Sequence, residues 1–177
     1  MLWTEKYRPK TLRDVKGQEH FVLDAELWIE EKNMPNVLLY GNAGCGKTAA
    51  GLALAKTMLG EYAKDNFVEV NASDDRRLEV VRTTIKNIAQ SGTIGDVPFR
   101  ICLLDEMDGM TTDAQNALKR IMERYSGNIR FIITCNDKSK IIYPLQSRCA
   151  NYHFKPLSNE VILEVIKEIL QKEQVSA

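Results

Sequence analysis

Apolar residues along this chain recur with two alternating periods. Val37-Leu38-Leu39-Tyr40, Ile101-Cys102-Leu103-Leu104 and Phe131-Ile132-Ile133-Thr134-Cys135 are short, nearly continuous apolar runs. Such runs predict parallel strands covered on both faces. Phe67-Val68-Glu69-Val70 and Asn151-Tyr152-His153-Phe154 predict two shorter strands. Elsewhere the apolar residues return at three- and four-residue steps. Phe21, Val22, Ala25, Trp28 and Ile29 predict a helix from about Glu19 to Asn33, closed by Pro35. Ala49 to Leu59 predicts a second, stopped by Gly60. Asn71 to Asp74 supply capping side chains for a helix from about Asp75 to Gln90, with Leu78, Val81, Ile85 and Ile88 as its buried stripe. Thr112 with Gln115 reads as a capping box opening a helix from Asp113 to Tyr125 that Gly127 ends. Pro144 to Arg148 reads as a helical turn. Ser158 caps a last helix, Asn159 to about Lys172, whose apolar stripe is too large to face solvent.

Strands alternating with helices predict an α/β fold, a five-stranded parallel sheet with helices on both faces. Right-handed crossovers put the segment after each strand's end at one sheet edge. At that edge lies Gly41-Asn42-Ala43-Gly44-Cys45-Gly46-Lys47-Thr48, between the strand ending at Tyr40 and the helix starting near Ala49. Its spacing is that of a phosphate-binding P-loop. Glycines let the backbone N–H groups and the helix N-terminus surround a phosphate chain, Lys47 reaches the β and γ phosphates, and Thr48 ligates Mg²⁺. ATP and Mg²⁺ are therefore the expected cofactors.

Composition changes this picture little. The 177 residues suit one domain of ordinary size, and 44% are hydrophobic. No apolar run is long enough to cross a bilayer, so no membrane partner is expected. The first residues lack the charged-then-apolar layout of a secretion signal, so a cytoplasmic location is expected. Cys45, Cys102, Cys135 and Cys149 are far apart and the two histidines do not cluster with them. Neither a metal centre nor a disulfide is expected, and Cys102 and Cys135 read as small core residues. Lysine plus arginine equals aspartate plus glutamate at 24 each, so only local charge can argue for nucleic acid. Trp3 to Lys16 is one such local case, a basic segment expected to be extended.

Asp105 and Glu106 end the run Ile101 to Leu104, which brings two carboxylates to the P-loop's edge. ATP hydrolysis needs such a pair, Asp105 for the metal's hydration shell and Glu106 to orient or deprotonate the attacking water. Asn136 ends the next strand, either as a turn-forming residue or as a neutral amide holding that water or the γ phosphate. Arg148, far along the chain, is either an ordinary surface arginine or a finger donated to a neighbouring subunit's ATP.

Several boxes now stand in one order and spacing. They are Trp3-Thr4-Glu5-Lys6-Tyr7-Arg8-Pro9-Lys10, the P-loop, Asn71-Ala72-Ser73-Asp74-Asp75-Arg76, Leu104-Asp105-Glu106-Met107-Asp108, Cys135-Asn136 and Ser147-Arg148-Cys149. From residue 3 to about residue 170 the chain resembles the small subunits of replication factor C, the archaeal and eukaryotic clamp loaders within the AAA+ ATPases. The resemblance implies a nucleotide-binding domain over residues 1–155 and the start of a helical lid over 156–177. It implies that Tyr7, Arg8, Pro9, Val15, Gly17 and Gln18 line the adenine and ribose pocket, beside Asn42, Ala43, Gly44, Cys45, Gly46, Lys47, Thr48 and Ala49 on the phosphates. Asn136 corresponds to sensor 1, Arg148 to the finger acting in trans, and Asn71 to the switch that restrains Glu106 until DNA is bound. Arg82 and Lys86 match positions that meet duplex phosphates, and Lys119, Arg120 and Arg124 are further candidates. For each of these cations a solvated helix face is the competing reading.

The implied activity is Mg²⁺-dependent ATP hydrolysis that opens and loads a sliding clamp on primer-template DNA. The implied partners are the other large and small loader subunits, the clamp and the DNA backbone, in an archaeal cytosol or a eukaryotic nucleus. A nucleotide-dependent scaffold, or another AAA+ machine such as a helicase loader or branch-migration motor, is the alternative. Four departures qualify the likeness: Asn42-Ala43 where proline is usual, Met107 where a small residue is usual, Ser91-Gly92-Thr93 where basic residues are common, and a sequence that ends after the first lid helix. Met107 to Met110 is a candidate clamp contact.

Overall fold

The computed structural model describes residues 2–73 and 78–175. The elements in chain order are α1 (Trp3–Lys6), α2 (Glu19–Glu30), β1 (Asn36–Tyr40), α3 (Lys47–Leu59), α4 (Ala63–Asn66), β2 (Phe67–Asn71), α5 (Leu78–Gln90), β3 (Arg100–Asp105), α6 (Thr112–Arg124), β4 (Ile129–Cys135), α7 (Tyr143–Ser147), β5 (Cys149–His153) and α8 (Asn159–Lys172). Among the described residues the sheet has five strands, all parallel, in the order β2-β3-β4-β1-β5. Expectation and structure agree on this architecture. Its order explains the strand compositions. The central strands β1, β3 and β4 are buried almost throughout, whereas β2 and β5 are edges, which lets β2 carry the exposed Glu69.

Alternation along each strand sorts the core into two layers. Val37 and Leu39 of β1, Ile101 and Leu103 of β3 and Ile132 of β4 pack with Phe21 and Ala25 of α2 and Ala50, Leu54 and Leu59 of α3. Leu38, Cys102, Leu104, Phe131, Ile133 and Cys135 point the other way and pack with Ile85 of α5 and Leu118 and Met122 of α6. Burying a leucine- or phenylalanine-sized side chain contributes about 1.5–3 kcal/mol, so both helical layers are held mainly by these contacts. Cys102 and Cys135 are core residues, as their apolar surroundings suggest.

Several boundaries differ from the sequence reading. Trp3 to Lys16 is not extended: it contains α1 and a 3₁₀ turn at Leu12–Asp14, where Asp14 Oδ2 accepts from the backbone N–H groups of Lys10 and Thr11 at 3.1 and 2.9 Å. α2 stops at Glu30, before Asn33. The cap of α6 is Thr111, whose hydroxyl accepts from Ala114 N at 3.3 Å; Thr112 is already helical. Gln115 makes no capping box. It is buried and joins two loops, donating to the carbonyls of Met110 and Lys140 and accepting from Ile142 N. β4 begins at Ile129 and β5 runs from Cys149 to His153, because pairing with neighbours, not local apolarity, sets their ends. Asp74 to Arg77, including the expected cap and start of α5, and the side chains of Leu78 and Val81 lie outside the described residues.

α8 is capped by Ser158 as expected, its hydroxyl accepting from Val161 N at 3.3 Å. It docks only in part. Glu173, just past its end, accepts from both Lys6 and Tyr7, and Lys16 pairs with Glu164 and Glu168 at 3.5 and 3.3 Å, while Ile162, Leu163 and Ile166 stay exposed.

Candidate active site

Strand alternation delivers the first carboxylate. Asp105 follows Ile101 and Leu103 onto the face covered by α3, whose first turn holds Thr48, and the Thr48 hydroxyl donates to Asp105 Oδ1 at 2.7 Å. On the neighbouring strand Thr134 donates to the same oxygen at 2.5 Å and accepts from the backbone N–H of Glu106 at 3.1 Å. Two hydroxyls therefore fix the Asp105 carboxylate. Lys47, buried at the loop's end, donates to the carbonyls of Gly41 and Asn42 at 2.7 and 2.8 Å, which folds the loop around its ammonium.

Glu106 leaves the strand with φ 55° and ψ 44°, a left-handed conformation that is uncommon for a residue other than glycine. The turn brings its carboxylate toward β2, where register pairs Asn71 with Asp105. Glu106 Oε2 is 3.1 Å from Ser73 Oγ and 3.4 Å from Asn71 Nδ2. Asn136 is exposed at the end of β4, its backbone N–H donating to Asp108 at 3.3 Å. Burial first, then the Asp108 carboxylate, pushes the neighbouring Cys135 thiol up to about 12.

These residues border one open cleft of about 470 Å³, with Ala43, Gly44, Gly46, Lys47, Thr48 and Ala49 on one wall and Asp105, Glu106, Thr134, Cys135 and Asn136 on the other. Asn42 contributes a carbonyl to Lys47, and Cys45 is buried beneath the loop. Arg8 borders this cleft and also a second, similar one, where Tyr7 and the basic residues Lys6, Lys10, Arg13 and Lys16 face Val165 and Ile169 of α8. Of the expected base-pocket residues, Tyr7 and Arg8 are thus brought together. Pro9, Val15, Gly17 and Gln18 border neither cleft. Val15 packs into the α3-side core, and Gln18 is buried and donates to Lys155 O at 2.8 Å. Gly17, at φ 75°, has Leu157 against it: a Cβ there would lie 2.4 Å from Leu157 Cδ2.

Arg148 lies elsewhere. Its guanidinium pairs with Glu123 of α6 and donates to Pro144 O at 2.8 Å. Cys149, the next residue, pairs with Asn36 at the start of β1, whereas the P-loop follows the far end of that strand. The two are separated by a strand length of roughly 13 Å at about 3.3 Å per residue. Arg82 and Lys86 of α5 and Arg120 of α6 share an open groove of about 510 Å³ between the two helices. Lys119 and Arg124 do not border it, and the Arg124 guanidinium sits 5.6 Å from the Tyr125 ring centre.

Sequence reading passed over Thr134, Ser73 and Thr4. Thr134 stands beside Asp105 as the polar residue in the buried run Phe131 to Cys135, and that anomaly is a readable signal. Nothing in the sequence singles out Thr4, which the fold of the N-terminal segment brings to the cleft.

A phosphate-binding loop joined to a strand-end acid by a threonine hydroxyl is the arrangement of the P-loop class of nucleotide-binding folds. The AAA family model, ATPase family associated with various cellular activities, matches residues 37–157, and the chain belongs to that family. More particularly, the chain is 51% identical over 173 residues to the replication factor C small subunit of Methanothermobacter thermautotrophicus, covering 98% of this chain and 54% of that protein. It is 49% identical over 174 residues to the protein of the same name from Methanococcus maripaludis, covering 98% of this chain and 55% of the relative. The chain thus spans about half the length of the curated relatives it matches. Among solved structures, the RuvB Holliday junction branch migration motor of Thermotoga maritima superposes with a TM-score of 0.75 at 19% identity, covering 96% of this chain and 56% of that one. At that identity the likeness concerns the fold alone.

Proposed function

We propose that this chain is the nucleotide-binding part of a clamp-loader subunit, which binds and hydrolyses ATP to open a sliding clamp and load it on primer-template DNA. The observation that carries the reading is the Thr48–Asp105 hydrogen bond of 2.7 Å, set in one cleft with Lys47 and Glu106. The names of the relatives at 49–51% identity favour this reading over a branch-migration motor. Glu106 speaks against a scaffold that never hydrolyses, which has no need of a base.

The donor set fits Mg²⁺, which is held by few protein oxygens and completes its shell with water and substrate phosphates. Thr48 and Asp105 supply two such oxygens, and among the described residues no cluster of three or more metal-binding side chains suggests a different ion. Bound there, Mg²⁺ would neutralise charge on the terminal phosphates. Lys47 turns from the Gly41 and Asn42 carbonyls to the β and γ phosphates. Thr134 keeps Asp105 aimed at the metal position. Glu106 takes the proton of the attacking water, and Asn136 holds that water or a γ-phosphate oxygen without adding charge. Arg148 serves a neighbouring subunit's nucleotide, since it lies at the opposite sheet edge from its own. Arg82, Lys86 and Arg120 meet the DNA backbone. The remaining large and small loader subunits and the clamp complete the assembly, and a domain boundary falls near Lys155-Pro156.

Binding and turnover measured on the full-length protein test this directly. Lys47→Ala should abolish ATP binding, and Glu106→Gln should keep binding while losing about 10²–10⁴ in turnover, the usual contribution of a positioned base. A Glu106→Gln enzyme that hydrolyses ATP at the parental rate overturns the assignment. Capture of clamp and primed DNA that does not depend on ATP overturns the loader reading.

A further inference from the structure

Arg148 stands at the end of α7 with its backbone already fixed. Leu145 is buried, Gln146 donates to the carbonyls of Lys138 and Ile141 at 3.1 and 2.7 Å, and the backbone N–H of Arg148 donates to Leu145 O at 3.1 Å. What remains to be ordered is a long side chain with many rotamers. Two contacts order it. Nη1 donates to Pro144 O at 2.8 Å, within α7 itself, and Nη2 pairs with Glu123, which ties the guanidinium to α6. Arg130 borders the same open groove of about 610 Å³ but is spent inside the fold, donating to Met34 O at 2.6 Å and Asn33 Oδ1 at 3.3 Å and lying over the Phe99 ring.

Local rules give Glu123 no reason to be where it is. It is the last residue but one of α6, in the turn where the helix dipole favours cations and disfavours acids. It is exposed, as Arg148 is, and an exposed ion pair contributes little to stability. A residue that costs its own helix something and adds little to the fold fits a role in aiming its partner.

We propose that Glu123 is a positioning residue for Arg148, which holds the guanidinium in one orientation at the surface, ready for a neighbouring subunit's nucleotide. The proposal rests on the reading of Arg148 as a finger acting in trans. A guanidinium carries five N–H groups, and Pro144 O and Glu123 take one each. The others are left for phosphate oxygens, so Glu123 keeps its hold while Arg148 meets the γ phosphate. With 38% of its side chain exposed, the arginine stays within reach of a partner. Its rotamers are thus restricted before the subunits meet, and the reacting complex does not bear that entropy. No covalent bond forms or breaks in this role.

The test is steady-state ATP turnover by the full-length protein in its assembled complex. Glu123 is exposed, so truncating it leaves no cavity. Glu123→Ala should lower kcat about tenfold, a loss of the kind that follows from misplacing a catalytic group, and leave KM for ATP unchanged. Glu123→Gln, which keeps an acceptor for the guanidinium, should lose less. In an Arg148→Ala background Glu123→Ala should have no further effect, because its action runs through the arginine. Parental or faster turnover in Glu123→Ala overturns the role of Glu123, and so does a further tenfold loss when Glu123→Ala is added to Arg148→Ala. The two readings fail separately: if Arg148→Ala is slow while Glu123→Ala behaves as the parent, only the glutamate is misassigned, whereas parental turnover in Arg148→Ala removes the ground for both.

Discussion

Asp105 Oδ1 accepts from Thr48 and Thr134 together, and that shared oxygen shows how single hydroxyls aim a site. Each removes a rotation the carboxylate would otherwise have. Burial sets the behaviour of the thiols just as locally. It pushes Cys102, Cys135 and Cys149 from an ordinary 9.0 up to about 12. Their folded-state values lie above their unfolded ones. Their contribution to stability is therefore complete below pH 9 and is lost between about pH 9 and 12, as the unfolded chain ionises first. At pH 8, iodoacetamide should leave Cys102 and Cys135 unlabelled in the native protein and modify both in urea, as read by mass spectrometry. Rapid native labelling would contradict their burial.

At the scale of elements, caps decide where helices begin. Thr111, rather than Thr112, meets the free N–H groups of α6. Thr111→Ala should lower stability by about 1 kcal/mol in urea unfolding, the usual cost of losing a cap, and Thr112→Ala should have far less effect. The reverse order would restore the reading taken from sequence spacing. That spacing misled because a threonine and a glutamine three residues apart look like a reciprocal cap. Gln115 instead satisfies loop groups on Met110, Lys140 and Ile142, partners that only the folded chain assembles. The start of the edge strand β5 differs from the sequence reading for a related reason: Cys149 and Ala150 pair with β1 whatever their own propensity.

Across the whole molecule, the sheet separates the phosphate loop from Arg148 by the length of a strand. The phosphate loop and both acids sit at the strands' C-terminal edge, and Arg148 sits at the other, paired with Glu123. If that arginine acts in trans, Arg148→Ala should leave ATP affinity of its own chain unchanged and slow the assembled complex by about 10³-fold or more. Brisk hydrolysis by the dilute, unassembled protein that survives Arg148→Ala would place the cation's role elsewhere. The partly docked α8 belongs to the same scale. Its pairs with Lys6, Tyr7 and Lys16 close a cleft against the N-terminal segment, and its outer apolar residues stay uncovered.

Local information sufficed for much of this protein. Apolar runs and helical periods are properties of neighbouring residues, and so is the glycine-loop spacing; together they determined the parallel α/β architecture, the P-loop and the strand-end acids Asp105 and Glu106. Tertiary structure alone decided the rest. It brought Thr134 and Ser73 to those acids, sent Val15, Gly17 and Gln18 into packing away from the clefts, joined Arg82 and Lys86 to Arg120, and put Arg148 out of reach of its own loop. Those placements depend on strand order and register, which pair residues far apart in the chain, and no pattern confined to one stretch of sequence carries that pairing.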